Sequence, residues 1–419
     1  MRKLIEKFYS LSPAKRLIIS IAAIMLIAVS ATAYSFYNLV EAVKQIMNSD
    51  LESFKTNSLA DVLKKANNPF LPEHIPQAVE AFNDLSKLHN ELLKKESHLI
   101  DPQFNFASLS AEQENKVVDT IKAFDRLSWE ELMVFYQSQI DPTDFREPAL
   151  LDFKKVRDVA RFCSSFGEFY RLKNPENEIV FVYSSVLKLG RLTEVVSPYL
   201  IGKMIAIAVD GIAVRPFKRF TDLNSRDNHK PRTSLLDAAP FSKEEAKALF
   251  ECVMTSLKLE ATFSRSLNSE YVFFKFFRAR IYEKAPLAAW LLDKIFGDPE
   301  NEYRRIVENP GDSKILLKTL HSWSHPMLLI AVPNFVRAYE VYLEKLAQKA
   351  AFAAELAEIA GIQVEIADPY SRQPLKWLED SGSKKFYSVG PNLKDDGLHD
   401  DDKGLYSSIL ASGTATGNN

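Results

Sequence analysis

An uncharged apolar segment near the N-terminus, Leu17–Val40, constrains this chain more than any other feature. Its 24 residues are long enough to cross a hydrocarbon core of about 30 Å as an α-helix. Residues 1–16 carry five Lys or Arg and one Glu, and positive flanks of this kind stay in the cytoplasm. We therefore predict a single-pass signal-anchor in the inner (cytoplasmic) membrane. Residues 1–16 would form a cytoplasmic basic segment, and the bulk of the chain would be periplasmic.

A cleaved signal peptide is the alternative interpretation of the same segment. Residues 17–29 have the apolar character of such a peptide, and residues 31–33 are small enough for signal peptidase. The apolar character continues to Val40, which favours a retained anchor. Both interpretations export the same domain to the cell envelope.

The composition predicts a mainly α-helical exported domain. Apolar residues make up 46% of the chain and charged residues 26%, which is typical of a globular protein. Glycine, which supplies the positive φ angles of tight hairpins, occurs only 13 times in 419 residues. Residues 17–419 have a net charge of −6, so no basic face for nucleic acid is expected. We predict one large helical bundle over residues 41–362.

Capping boxes predict where several helices begin. The pairs Ser110 with Gln113, Ser128 with Glu131, and Ser242 with Glu245 each match this motif. The first helix is expected to bury its periodic apolar residues, namely Val117, Val118, Ile121 and Phe124. An alanine-rich segment, residues 334–361, is predicted to be a long helix that Gly361 ends as its C-cap.

A second apolar run, Val195–Val214, is predicted to be a buried helix. Lys203 and Asp210 lie near its middle, where two charges would be costly in lipid, so a second membrane span is disfavoured. These residues are seven positions apart and share one helix face. That face should meet polar partners or solvent, while Ile205, Ile207 and Val209 help to fill the core.

Two cysteines, Cys163 and Cys252, leave two interpretations open. In an oxidising periplasm they could form a disulfide. Two buried free thiols are the alternative.

The composition changes after Gly361 and predicts a small β-module over residues 363–406. Asp368–Trp377 is interpreted as a turn followed by a strand, and Lys384–Asn392 as a strand followed by a turn. The sequence DSGS between them suits a hairpin connection. Residues 407–419 are rich in Ser, Thr, Gly and Asn and are predicted to be a disordered tail.

An acidic segment in this module is a candidate calcium site. It places six oxygen-bearing side chains within eleven residues, namely Asn392, Asp395, Asp396, Asp400, Asp401 and Asp402. Calcium takes six to eight oxygen ligands in such loops, although the spacing is not that of an EF-hand. A solvated acidic turn is the alternative.

The segment Asp368–Gly397 resembles the C-terminal module of membrane-anchored, exported bacterial proteins of the planctomycete type. In those proteins DP-[FY]-S-G-x-P-L is followed by YSVGP-[ND]-x-x-DDGG, behind a helical domain with an N-terminal membrane segment. This chain has Arg372 and Leu398 in place of two glycines of the pattern, so its turns are expected to differ there. The resemblance implies an exported protein but brings no established activity.

The same segment also resembles, locally, the C-terminal β-module of the major pseudopilin of type II secretion. That resemblance implies a calcium loop with Asn392 and one or two of Asp400–Asp402 as ligands. The prepilin peptidase site is missing before Leu17, so a pilus role does not follow.

No catalytic motif is present in the sequence. A GxSxG elbow, a Walker A loop, a GxGxxG fingerprint and a CxxC pair are all absent. His321 and His325 have the spacing of two zincin ligands, but Ser322 replaces the catalytic Glu. We therefore expect a structural or protein-interaction role in the cell envelope without catalysis. The alternatives are an envelope hydrolase with a dispersed site and a secretion or pilus-like subunit with a calcium-binding C-terminal loop.

Overall fold

The computed structural model describes part of the chain. The described residues are 82–91, 106–130, 153–196, 200–218, 234–260, 335–380, 383–395 and 402–405, with single residues at 34, 37 and 41 and scattered ones between 263 and 304. Within these residues no helix combines the length and the apolar character that crossing a membrane requires. The predicted anchor, the predicted tail and the histidines of HSWSH lie outside them, except that Tyr34 and Tyr37 are helical and exposed.

The chain divides into two compact units. One combines Met1–Thr56 with Tyr271–Pro333, and the other combines Asn57–Glu270 with Asn334–Asn419. In the first unit, Arg278 donates to a carboxylate oxygen of Asp293 over 2.7 Å. Every helix and strand named below belongs to the second unit.

The second unit is mainly helical, which confirms the mainly α part of the predicted fold class for the described residues. Helices account for 73% of the described residues. The named helices are α1 (Ala111–Asp125), α2 (Phe153–Lys173), α3 (Val180–Val196), α4 (Leu200–Val214), α5 (Leu235–Ala238), α6 (Lys243–Leu259) and α7 (Phe335–Ala360). Residues 82–91 are also helical.

Helix α3 lies at the centre of the bundle. It packs against α1, α2, α4 and α6, and α7 packs in turn against α4 and α6. Residues 181–194 are buried on every side, as expected for a helix without a solvent face. An aromatic stack joins distant parts of the core, with Phe217 centred 4.4 Å from Phe352 and 4.7 Å from Tyr183.

Local signals placed several helix ends correctly. Both Ser110 and Ser242 form reciprocal capping boxes, and the four predicted apolar residues of α1 are buried. Gly361 ends α7 with a φ of 71°. The Ile362 N–H donates to the Ala357 carbonyl over 2.8 Å, which is the Schellman arrangement. For the third box, a helix follows Ser128 as predicted, but Glu131 lies outside the described residues.

The predicted single helix over Val195–Val214 is wrong at its start. Helix α3 continues to Val196 and α4 begins only at Leu200. Pro198 falls between them, and proline interrupts the hydrogen bonding of a continuous helix. The rest of the prediction is confirmed, because Ile205, Ile207 and Val209 are buried.

The predicted hairpin is confirmed and gains a third strand. Strands β1 (Lys376–Asp380), β2 (Ser383–Ser388) and β3 (Lys403–Gly404) form an antiparallel sheet in the order β1-β2-β3. Both β2 and β3 pack against α7. The β-module, residues 363–405, is therefore docked on the bundle through this helix.

Both cysteines are free thiols in the structure, so the disulfide interpretation is not supported. Cys163 is buried on α2 and Cys252 is half-buried on α6. Burial raises the pKa of the Cys163 thiol to about 12, which makes it unreactive at neutral pH.

Candidate functional site

Six charged side chains meet where α3, α4, α6 and α7 pack together. We call this group the ionic cluster. Its members are Arg191 and Glu194 on α3, Lys203 and Asp210 on α4, Glu260 at the end of α6, and Lys349 on α7. Each side chain is at most 5% exposed. Three cations and three anions make the cluster neutral when all six groups are charged.

Arg191 joins α3 to α4. Its Nη2 lies 2.5 Å from the Asp210 Oδ2, and its Nη1 lies 2.6 Å from the Glu194 Oε2. A longer approach of 3.7 Å links the same guanidinium to Glu260. The planar guanidinium can serve several carboxylates at once because its donors point in fixed, divergent directions.

Lys203 joins α4 to α3 and to the end of α6. Its ammonium donates to the Glu194 Oε1 over 2.7 Å and to the Glu260 Oε1 over 2.9 Å. It also lies 4.7 Å from the centre of the Tyr342 ring on α7. Burial raises the pKa of the Tyr342 hydroxyl to about 12, so this ring stays neutral at physiological pH.

Lys349 completes the ionic cluster from α7. It donates to the Asp210 Oδ2 over 2.8 Å, to the Ser256 Oγ over 2.8 Å and to the Glu260 Oε2 over 3.4 Å. Every cation of the cluster thus contacts at least two anions. This arrangement offsets part of the cost of removing six charges from water.

The electrostatics favour the charged forms of Arg191, Lys203 and Glu260. Burial alone would lower the pKa of Arg191, but the charges of Asp210, Glu194 and Glu260 outweigh it, and the net direction is upward. Burial would raise the pKa of Glu260, yet Lys203, Lys349 and Arg191 hold it well below its usual range. The pKa of Lys203 is raised in the same way by its two carboxylates, against burial.

A glycine lets helices α3 and α4 pack closely beside the ionic cluster. A Cβ added at Gly190 on α3 would lie 2.9 Å from the Asp210 Oδ1 on α4. Glycine at this position therefore lets the two helix backbones come together.

The sequence indicated only part of the ionic cluster. Lys203 and Asp210 were expected to face polar partners, and they do. Arg191 and Glu194 have the i, i+3 spacing of an ordinary helix pair, and nothing local marks Glu260 or Lys349. The usable signal was the mainly apolar helix α3, in which the charged residues Lys188, Arg191 and Glu194 follow one another at three-residue steps.

A second polar centre holds the β-module together. The Asp368 carboxylate is 1% exposed. It accepts four hydrogen bonds, from the Ser388 Oγ over 2.6 Å, the Ser371 Oγ over 2.9 Å, the Tyr370 N–H over 2.9 Å and the Val389 N–H over 3.2 Å. The separate motifs DPYS and YSV thus meet at one carboxylate, which gives a physical reason for the residues at these positions.

Arg372 lies in the turn after Asp368, where the resembled pattern has glycine. Its φ is 60°, in the left-handed region that glycine adopts without strain. The backbone of the turn is thus in a conformation that glycine favours, and arginine carries the strain. Leu398, the other replacement, lies outside the described residues.

Three of the six candidate calcium ligands lie in the described residues. The exposed Asn392 accepts a hydrogen bond from the Lys394 N–H over 2.6 Å, and Asp395 accepts one from the Tyr387 hydroxyl over 2.7 Å. Asp402 is buried. The other three, Asp396, Asp400 and Asp401, lie outside the described residues. Among the residues that the structure describes, no three His, Cys, Asp or Glu side chains are grouped as a metal site would require.

A surface pocket of about 670 Å³ lies between α2 and the start of α6. Arg171 on its wall binds the Glu245 carboxylate with both terminal nitrogens, over 2.8 and 3.0 Å. The same two nitrogens donate to the carbonyls of Asn177 and Pro240. Glu245 also closes a capping box with Ser242. These polar side chains therefore serve the fold.

Comparison with known proteins gave no relative. No family model, curated protein or solved structure matches this chain.

Proposed function

We propose that this protein is a non-catalytic scaffold of the cell envelope, anchored in the inner membrane by Leu17–Val40, which presents its β-module to other envelope proteins. One observation supports this proposal above the others. The ionic cluster is closed to solvent and neutralises itself, and it includes a residue of the helix on which the β-module is docked.

The chemistry of the ionic cluster supports a positioning role. Each of its acids and bases is held by an opposite charge at 2.5 to 2.9 Å. A catalytic acid or base needs access to substrate and a pKa near the working pH. Side chains that are at most 5% exposed and engaged in several ion pairs suit the alignment of helices instead.

The surface of the β-module supports a role in interaction. Trp377 is 53% exposed and Leu393 is 60% exposed. Exposed aromatic side chains are enriched at protein interfaces. The module is also linked to the bundle by Lys384, which donates a hydrogen bond to the Glu358 carboxylate on α7 over 3.2 Å. The resemblance to exported, membrane-anchored bacterial proteins supports a location of this surface outside the cytoplasm.

Location is tested by fractionation and by a reporter. The full-length chain should remain in the membrane after a carbonate wash, and a phosphatase fused at Asn419 should be active in the periplasm. A soluble form that begins near Tyr34 would instead establish cleavage, and an inactive fusion would contradict the topology.

Interaction is tested by photo-crosslinking in intact cells. A photoreactive residue would replace Trp377, with a matched one at Ile201, which is 46% exposed on the bundle. Crosslinks to envelope proteins should form from position 377 and be rare from position 201. Equal yields from both positions would refute a specific surface on the module.

The position of Tyr387 favours calcium binding as a second, accompanying function. Burial raises the pKa of this tyrosine, and its hydrogen bond to Asp395 and the nearby charge of Asp402 raise it further. The two ends of the acidic segment therefore approach one side chain, with Asp396, Asp400 and Asp401 in the connection between them. We propose that calcium joins these carboxylates, as the pseudopilin resemblance implies.

The test is thermal melting with millimolar calcium and with chelator, because extracellular sites bind at about 10⁻⁴–10⁻³ M. Calcium should raise the Tm of the native chain and not that of a variant with Asp396→Asn and Asp401→Asn. Identical Tm values in all four samples, with no heat of calcium binding, would leave a solvated acidic turn.

A further inference from the structure

Two lysine ammonium groups converge on one uncharged oxygen of helix α7. The Lys218 Nζ donates to the Gln348 Oε1 over 2.5 Å, and the Lys345 Nζ donates to the same oxygen over 3.2 Å. We call Lys218 and Lys345 the lysine pair. Like charges so close together repel each other, and an amide oxygen carries no formal negative charge to offset this repulsion. The surrounding structure must therefore hold the lysine pair in place.

Packing of the neighbouring aromatic residue positions Lys218. This lysine directly follows a 3₁₀ helix, Arg215–Phe217, and its backbone N–H closes the end of that helix. The buried Phe217 ring is centred 4.4 Å from the ring of Phe352 on α7. Phe352 lies one helical turn after Gln348, so this aromatic contact brings the lysine to the glutamine.

The Gln348 amide has a defined orientation. Its Nε2 donates to the Glu344 Oε1 over 3.3 Å, and the same carboxylate oxygen accepts a hydrogen bond from Lys345 over 3.0 Å. The amide nitrogen thus faces the carboxylate, and the amide oxygen faces the lysine pair. The reversed amide would turn donor groups towards two ammonium groups, which have no acceptor to offer.

Positive charge is in excess around Lys218. The charges that act on it most strongly are those of Lys345, Glu344 and Arg215. Together with Lys218 itself, three cations face one carboxylate, which leaves two positive charges in excess. Lys403 on β3 is also close enough to act on Glu344. The whole chain has a net charge of −2, so this excess is a local feature.

The excess charge is only partly exposed to water. Lys218 is half-buried, and the Lys345 side chain is 29% exposed. Burial, together with the positive charges of Lys345 and Arg215, lowers the pKa of Lys218 to about 8, against the opposing charge of Glu344. Lys218 is still mainly protonated at pH 7. A nearby anion would favour its charged form and stabilise the site.

We propose that the lysine pair, with Arg215, binds a phosphate group. A phosphate group carries a charge of about −1.5 to −2 at pH 7, which matches the local excess. Its several oxygens can accept hydrogen bonds from both ammonium groups at once. The phosphate could belong to a free ion or to the headgroup of a phospholipid, since both offer the same chemistry. This site goes beyond the proposed scaffold function and does not rest on it.

Thermal melting and titration calorimetry test the site in the full-length, detergent-solubilised protein. Millimolar inorganic phosphate should raise the Tm relative to chloride at equal ionic strength. Lys218→Met should weaken phosphate binding by about tenfold, because it removes a charged donor. The matched control is Lys87→Met, whose side chain is 73% exposed, and it should bind as the native chain does. Absence of both a Tm response and a heat of binding, or equal binding by Lys218→Met, would overturn the proposal.

The pH dependence of phosphate binding gives a second readout. Because phosphate favours the protonated form of Lys218, its affinity should fall as the pH rises above about 8, where the free site loses this proton. In Lys218→Met the residual affinity should lack this fall. An affinity that is unchanged between pH 7.5 and 9.5 in the native chain would contradict a role of Lys218.

Acylation of lysines by N-hydroxysuccinimidyl acetate, followed by mass spectrometry, locates the ligand and its source. Only the neutral amine reacts, and each unit by which phosphate raises the pKa of Lys218 should slow its labelling by about tenfold. Labelling of Lys87 should not change. Micelles doped with phosphatidic acid are compared with inorganic phosphate, and phosphatidylcholine serves as the control lipid. Protection by both phosphates supports a general phosphate site, and protection by phosphatidic acid alone identifies a lipid headgroup. Protection by neither, or equal protection by phosphatidylcholine, would overturn the proposal.

Discussion

Removal of one cation from the ionic cluster should destabilise the bundle strongly. Lys349→Met keeps most of the side-chain volume but leaves three anions against two cations in a closed site. In the native protein the Lys349 ammonium contacts Asp210, Glu260 and Ser256, and the variant removes all three contacts. Breaking a buried ion pair from one side costs about 3–5 kcal/mol, because an uncompensated charge stays buried.

This loss of unfolding free energy should appear as a large decrease in the Tm. For a domain of this size, 1 kcal/mol corresponds to about 2–4 °C in Tm. Lys349→Met should therefore lower the Tm by roughly 6–20 °C. The matched control is Lys345→Met, one helical turn earlier on α7, where the side chain is 29% exposed. That change should cost less than about 1 kcal/mol.

A double-mutant cycle separates lost charge balance from lost packing. Glu260→Gln alone leaves an excess positive charge and should also destabilise the protein. Combined with Lys349→Met, it restores neutrality with two cations and two anions. The double variant should be more stable than the sum of the single losses predicts, by about 0.5–3 kcal/mol. Strict additivity, or a single-variant Tm within about 2 °C of the native chain, would refute the balance of charges as the stabilising feature.

Three further outcomes follow from the same geometry. Because the pKa of Glu260 is depressed in the folded state, its contribution should be present above its ordinary pKa of 4.5 and be lost as the pH falls below that value; melting from pH 7 to 3 should show a steeper loss for the native chain than for Glu260→Gln. Asp368→Ala leaves four donors without their carboxylate and should cost about 2–4 kcal/mol; limited proteolysis should then cleave the β-module before the bundle, and simultaneous cleavage of both would contradict this. Arg372→Gly should stabilise the protein by about 0.5–1 kcal/mol through relief of its left-handed strain, whereas Arg372→Ala, which keeps the strain, should give no gain in urea unfolding.

Local signals in the sequence were sufficient for much of the fold. A capping box such as that of Ser242 needs only four consecutive residues, and Gly361 ends α7 by its own conformational freedom. The hairpin followed from the short DSGS connection between two predicted strands. Strand β3 was missed because it has only two residues. The helix break near Pro198 was missed because apolar residues continue on both sides of it.

The ionic cluster could not be predicted in full because its contacts are not local. Lys349 lies 139 residues from Asp210 along the chain and 89 from Glu260. On α7 it resembles any lysine of an alanine-rich helix. Only the packing of α7 against α4 and α6 brings it to the carboxylates. Lys203 and Asp210 were recognisable because a charge inside an apolar run needs a partner.

Hydrogen exchange in the β-module tests most directly whether the ionic cluster holds this module in place through α7. Amide exchange at Phe386 and Val389 would be followed in the native chain, in Lys349→Met and in Lys345→Met. If the cluster fixes α7, exchange at these amides should be much faster in Lys349→Met and unchanged in Lys345→Met. Equal protection in all three proteins, with Lys349→Met still destabilised globally, would contradict the account.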